Sequence, residues 1–186
     1  RHARRRQQSG DHRRHGSHAE AHRQQDAEFH AQAHHHGAAG AGADQIDLFF
    51  TGPAHTGGDA FVVFTALRAM HAGDAFHTRD LPIMDQSNSG SGVQYPNTLA
   101  WAAQIPGVDT IINGHNAATT TPADMKIQSE FIGEFVKFVQ DAKKAGKTVD
   151  DVVKTWATPA KYAATYAKPN PDRVRADAQV IWEETK

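Results

Sequence analysis

Gly52-Pro-Ala-His55-Thr-Gly-Gly-Asp59 directly follows the run Ile46-Asp-Leu-Phe-Phe50 and places one histidine in a glycine-flanked turn. Ile46, Leu48 and Phe50 alternate with Asp47 and Phe49, which predicts a strand with one buried face. Phe61-Val-Val-Phe64 is a continuous run of β-formers and suits an interior strand. The same layout returns twice downstream. Leu67 to His71 reads as a short strand ending at Gly73-Asp74, and Val108-Asp-Thr-Ile-Ile112 as a strand delivering Asn113-Gly-His115. His55, Asp74 and His115 thus each stand just past the C-terminal end of a predicted strand. Side chains on neighbouring loops at one sheet edge can converge although they are far apart in sequence.

The helices have clear punctuation. Pro96 opens one through Gln104, with Leu99, Ala102 and Ala103 inward and Gly107 as its stop. Thr121-Pro-Ala-Asp124 supplies an N-cap, a first-turn proline and an acid at N3. Ile127, Phe131, Phe135, Phe138, Val139 and Ala142 then follow at helical spacing, giving a long amphipathic helix that ends near Gly146. Thr148-Val-Asp-Asp151 resembles a capping box for a shorter helix, and Asn170-Pro171 starts a last one with Val174, Ala178 and Ile181 inward. Residues 77–92 form a long loop of the kind that rims a binding site, with His77 and Asp80 as candidate substrate contacts. Strands alternating with helices indicate a layered α/β domain.

The first forty residues are of another kind. Of the large apolar residues only Phe29 occurs between Arg1 and Ala41, which also hold nine of the thirteen histidines and seven arginines against four acidic residues. Such a segment cannot bury enough apolar surface to offset its ordering entropy, so residues 1–43 are expected to be a disordered His/Arg/Ala-rich arm. Its bias toward Ala, Arg, His, Gln and Gly is also that of a GC-rich gene read out of frame. Residues 44–186 carry the folded domain, with an acidic excess that gives no reason to expect nucleic acid as a partner. Cysteine is absent, which excludes disulfides and thiolate zinc ligands. No apolar run approaches the roughly 20 residues of a membrane span, so no membrane association is expected. The chain starts at Arg1 rather than Met, which suggests a truncated N-terminus and leaves periplasmic and cytoplasmic locations both open.

Imidazole and carboxylate are the ligands zinc takes when thiolate is lacking, and one carboxylate can bridge two metals about 3.5–4 Å apart. On Gly52-Pro-Ala-His-Thr-Gly-Gly-Asp59, Phe61-Val-Val-Phe64, His71-Ala-Gly-Asp74 and Ile112-Asn-Gly-His115, residues 44–186 resemble the C-terminal half of a metallo-β-lactamase-fold hydrolase. The resemblance implies an αββα sandwich with two zinc ions. His55 would complete the first metal's histidine set, Asp74 would bridge, and His115 would serve the second metal. Asp59 would brace its turn rather than ligate. The implied reaction is attack of metal-bound hydroxide on an ester, thioester, lactone or amide, the metals lowering the pKa of water from about 15.7 to about 7.

The family's His-x-His-x-Asp-His signature is absent from this sequence, and neither His15-Gly-Ser-His18 nor His34-His-His36 replaces it. The expectation is therefore an incomplete and inactive hydrolase fragment. Its catalytic residues are unassigned, its substrate would be a small molecule, and an exposed half-core would favour self-association. The alternatives are a non-catalytic remnant and a protein that binds metal through the His-rich arm. His71 is expected to be structural, and Trp101, Trp156 and Trp182 to be packing residues.

Overall fold

The computed structural model describes residues 45–115 and 117–186, together with the backbone of residues 34–39. The expected disorder of the arm, and any metal binding by it, lie outside the described residues apart from that one segment. There, His34–Ala39 forms a strand, β1, on the arm side of the boundary read from sequence. β1 pairs antiparallel with β2, Ile46–Phe50, through backbone hydrogen bonds, which need no large apolar side chain.

The sheet runs in the order β1-β2-β3-β4-β5, with β3 at Phe61–Phe64, β4 at Ala69–His71 and β5 at Thr110–Ile112. β2, β3 and β4 pair antiparallel in succession, and β4 pairs parallel with β5. A parallel step requires a crossover. Residues 72–109 make it, and they contain helix α1, Tyr95–Ala102. Two alternations put β2, β4 and β5 in the same direction, so the turns after all three emerge at one edge of the sheet.

β4 is shorter than the sequence suggests. Thr65–Leu67 turns as a 3-10 segment and Arg68 takes φ +50°, which breaks the extended run before Ala69. Across the sheet, Val63, Met70 and Ile111 lie in register and are buried. The alternate row, Leu48, Val62, His71 and Ile112, points the other way. On that face Leu48 remains 38% and Ile112 41% exposed.

The helices cover the inner face. α1 buries Tyr95, Thr98, Leu99 and Ala102, while Ala103 beyond its end is half-buried against the core. α2, Pro122–Lys144, starts from a complete capping box between Thr121 and Asp124 and buries Met125, Gln128, Ile132, Phe135 and Val139. Ile127, read from sequence as inward, is 44% exposed. The buried stripe is rotated away from it because Gln128 occupies that side, donating to the Asp80 carbonyl at 2.7 Å and accepting from the Arg79 amide at 3.1 Å. α3, Val149–Thr155, has the capping box expected at Thr148 and Asp151. Trp156 follows it and packs on Phe131, Phe135 and Phe138. α4, Pro171–Glu184, is capped by Asn170 and buries Val174, Ala178 and Ile181 as its pattern predicts. The Lys143 ammonium, in the last turn of α2, donates to the Trp182 carbonyl at 2.7 Å, near the end of α4. No helix among the described residues is long and apolar enough to cross a membrane.

Candidate functional site

The three turns meet at the shared sheet edge. Residues 51–59 leave β2 through Gly52, whose φ of +129° and close approach to Thr98 demand glycine: a Cβ there would sit 2.7 Å from the Thr98 hydroxyl. That hydroxyl donates to the Pro53 carbonyl at 2.8 Å, and Thr51 donates to the Thr98 carbonyl at 2.9 Å, so α1 anchors the turn at its root. Asp59 accepts from the Thr56 amide at 2.9 Å and the Thr56 hydroxyl at 2.8 Å. It braces the turn, as the sequence suggests, and thereby sets the chain path around His55.

Asp74 follows β4. The Gly114 amide donates to the Gly73 carbonyl at 2.9 Å, and the Ala72 amide to the Ile112 carbonyl at 2.9 Å, which ties the second turn to the third. Gly114 is needed for this approach, since a Cβ would overlap Asp74 Oδ1 and lie 3.0 Å from the Gly73 carbonyl. From below, the buried Tyr95 hydroxyl donates to the Asp74 carbonyl at 3.3 Å. Burial also drives that phenol well above its ordinary pKa, so it stays a donor.

The outcome is a convergence of all three sequence-identified residues. His115 Nε2 lies 2.9 Å from Asp74 Oδ1, and His55 Nε2 lies 3.8 Å from Asp74 Oδ2. Each carboxylate oxygen therefore faces one imidazole. His55 Nδ1 lies 2.8 Å from the Ile83 carbonyl oxygen. A carbonyl can only accept, so Nδ1 carries a proton and Nε2 is the ring nitrogen turned toward Asp74.

His71 is exposed and accepts from the Gly73 amide at 3.2 Å, a structural role in the turn. His77 stands nearer the site, its ring centroid 6.3 Å from that of His115. Its buried Nδ1 has no hydrogen-bond partner among the described residues. Burial lowers its pKa, against the opposing pull of Asp80.

The long loop 77–92 does more than rim the site, and sequence reading missed this. The Asp85 amide donates to the His55 carbonyl at 2.9 Å, the Gly57 amide to Asn88 at 2.8 Å, and the Ser91 amide to Ala54 at 3.0 Å. Gly90 packs so close to the His55 backbone that a Cβ would overlap its carbonyl oxygen. The loop is the outer wall of the His55 turn. The available signal was its glycine and Asp/Ser/Asn content, which marks a turn-forming segment but names no partner.

Nitrogen and carboxylate oxygen are suitable donors for zinc. Their number is another matter. His55 and His115 approach opposite oxygens of Asp74, so each side offers one nitrogen and one oxygen. Among the described residues no group of three or more His, Cys, Asp or Glu side chains is arranged to hold a metal ion. The donor types fit a zinc centre; the donor set is too small to complete one.

No protein-family model matches the sequence, and no curated protein does. Solved structures do. A double mutant of the sec-alkyl sulfatase PisA1 matches 82% of this chain and 25% of its own, at 7% identity and a TM-score of 0.61. The sec-alkylsulfatase Pisa1 from Pseudomonas sp. gives 0.59 at the same identity and coverage. Among metallo-β-lactamases, the enzyme from Pontibacter korlensis matches 52% of this chain and 45% of its own, at 12% identity and 0.45. FIM-1 from Pseudomonas aeruginosa, in its mono-zinc form, matches 48% and 39%, at 15% identity and 0.38. The chain spans between a quarter and somewhat under half of the length of these structures. It is a mixed α/β chain similar in fold, over 82% of its length, to the two alkyl sulfatase structures.

Proposed function

We propose that residues 44–186 derive from a metal-dependent hydrolase of the metallo-β-lactamase superfamily, and that this chain by itself is an incomplete, inactive form of it. The observation that carries the reading is Asp74: its two oxygens face His55 on one side and His115 on the other, at 3.8 and 2.9 Å. A carboxylate so placed would offer one oxygen to each of two metal ions. The ions it would bridge supply an activated water and polarise the scissile bond. In this chain His55, Asp74 and His115 would hold their share of that zinc, His55 with its Nδ1 already held by Ile83. The remaining donors are not among the described residues.

The substrate would be a small molecule with a hydrolysable ester, thioester, lactone or amide bond. The names of the solved relatives, β-lactamases and alkyl sulfatases, belong to the same broad class of acyl and ester hydrolysis. The outer face of the sheet supports the fragment reading. Leu48, Val62 and Ile112, with His71 between the last two, form a largely apolar row that a sandwich would bury under a second sheet, and that would drive self-association when left open.

Zinc content and hydrolysis measured together test this. The purified chain is expected to hold zinc weakly and to hydrolyse a chromogenic β-lactam, a thioester and an alkyl sulfate no faster than buffer. Two tightly held zinc ions, or turnover abolished by Asp74→Asn, would overturn the inactive reading. Deleting residues 1–41 separates the alternatives: zinc lost with the arm assigns binding to it, and zinc retained assigns it to the three turns.

A further inference from the structure

Helix α4 reaches the long loop on both flanks of the stretch that walls the His55 turn. In its first turn, Arg173 Nη1 donates to the Pro82 carbonyl at 3.2 Å. In its last turn, Glu184 Oε2 accepts from the Val93 amide at 2.8 Å and from the Ser91 hydroxyl at 3.2 Å. Between these ends Ile181 packs on Gly92. A Cβ at Gly92 would lie 2.5 Å from Ile181 Cγ1 and 2.9 Å from Met84 Sδ, so loop and helix meet without a gap.

The part of the loop between these attachments is the part that holds His55. The Ile83 carbonyl lies 2.8 Å from His55 Nδ1, the Asp85 amide donates to the His55 carbonyl, and the Asn88 carbonyl accepts from the Gly57 amide. From this geometry we propose that Arg173 and Glu184 are positioning residues for His55, with α4 as a strut that keeps residues 83–91 closed on its turn. The inference rests on the reading of His55 as a site residue. It requires no bound metal and no particular protonation state of the imidazole.

The helix does not need these contacts for its own docking. Val174, Ala178 and Ile181 are buried and fix it on the core. Arg173 and Glu184 flank that stripe, half-buried, and both direct their polar groups at the loop. The loop has fewer anchors of its own. Leu81, Pro82 and Met84 are buried, but Ile83 is 45% exposed and residues 86–89 are all exposed. Segments with so few buried contacts open at little cost unless they are tied down. Gln128 of α2 holds the beginning of the loop, at Arg79 and Asp80. The two attachments on α4 stand about 16 Å apart along the axis, so a rigid helix fixes the span between the flanks of the wall. Pro82 is itself buried, and loss of Arg173 would leave its carbonyl without the partner it has here. His115 is held differently, its turn being tied to the Gly73 carbonyl through the Gly114 amide.

Amide hydrogen exchange and histidine-ring NMR on the metal-free full chain test the proposal. In the wild type, the Asp85 and Gly57 amides are expected to exchange slowly. Arg173→Met and Glu184→Ala each remove one attachment. Each is expected to speed exchange at Asp85 and Gly57 roughly tenfold, the size that follows from one buried polar group left unpaired, and to move the His55 ring signal. The Gly114 and Thr120 amides and the His115 ring signal are expected to stay unchanged. Arg173→Lys and Glu184→Gln, which keep a donor and an acceptor in place, are expected to retain the wild-type pattern. Unchanged Asp85 exchange in a folded Arg173→Met protein would overturn the proposal. So would equal acceleration at Asp85 and Gly114, which marks a general loss of stability. If neither truncated variant folds, the wild type decides: Asp85 protection matching that of Gly114 supports the strut, and exchange as fast as in an unstructured peptide overturns it. Absence of zinc binding with this exchange pattern intact would count against the hydrolase reading alone.

Discussion

The two histidines that face Asp74 are held in very different ways. His55 is 17% exposed in its side chain, with its ring bonded to Ile83 and its backbone bonded to Asp85. Its turn is rooted in α1 through Thr98 and walled by residues 83–91. His115 is 56% exposed, and its side chain is placed by its 2.9 Å contact with Asp74. Packing therefore determines the first histidine, whereas the second, among the described residues, meets the Asp74 carboxylate and the His77 ring at the surface. The difference shows that half of this site is preorganised by the fold and half depends on the carboxylate it faces. Interactions of the second kind contribute little at a surface.

The largest expected effect comes from forcing the wall away from His55. Gly90→Ala places a Cβ onto the His55 carbonyl oxygen and 2.8 Å from the Asp85 carbonyl, neither of which can swing aside. Such overpacking against backbone is expected to cost roughly 3 kcal/mol in urea melts. Gly114→Ala, on the His115 side, meets the movable end of the Asp74 side chain as well as backbone. It is expected to cost less, about 1 kcal/mol, while displacing Asp74. Equal losses would mean that the two halves are equally rigid.

The pH dependence of stability sharpens the same contrast, because α4, which holds the loop beside His55 through Arg173 and Glu184, contains a buried acid. Asp177 is raised from 3.8 to about 8 in the folded chain, chiefly by burial. Between those values the unfolded chain has released this proton and the folded chain has kept it. Asp177 therefore makes stability fall as pH rises through that window, by at most roughly 1 kcal/mol per pH unit. Urea melts across the window should show this slope in the wild type and a flatter one in Asp177→Asn. Parallel slopes would remove the buried acid from the account. The smallest effect is expected at the exposed histidine: His115→Gln should change stability by less than about 0.5 kcal/mol, as surface substitutions do. A larger loss would show that His115 organises its turn after all.

Much of the domain could be read in the chain because its signals are local. Thr121 with Asp124 and Thr148 with Asp151 announce their helices by capping chemistry that spans four residues. The Ile46–Phe50 alternation likewise predicts its strand from neighbours alone, but the face read as buried, Ile46, Leu48 and Phe50, is not the inner one. Phe49, in register with buried Phe61, packs on the core, and Leu48 is 38% exposed. Ile127 failed because periodicity defines a stripe only to within a residue or two, and a polar residue, Gln128, took the buried place through bonds to Arg79 and Asp80. Those partners lie 48 and 49 residues away. The strand at His34–Ala39 was missed for a related reason. Its pairing rests on backbone hydrogen bonds to β2, and its composition of His, Gly and Ala carries no strand signal.

The glycine-flanked turns by themselves determined which three side chains could meet, since each stands at the end of a strand and strand direction places all three ends together. Their convergence on opposite oxygens of one carboxylate was decided only in three dimensions, by the register of β4 against β5 and by the room that Gly114 leaves. The bracing of His55 was likewise invisible in the sequence. It runs from α4 through Pro82 to Ile83, and contacts between segments some ninety residues apart leave no periodicity for a sequence to display.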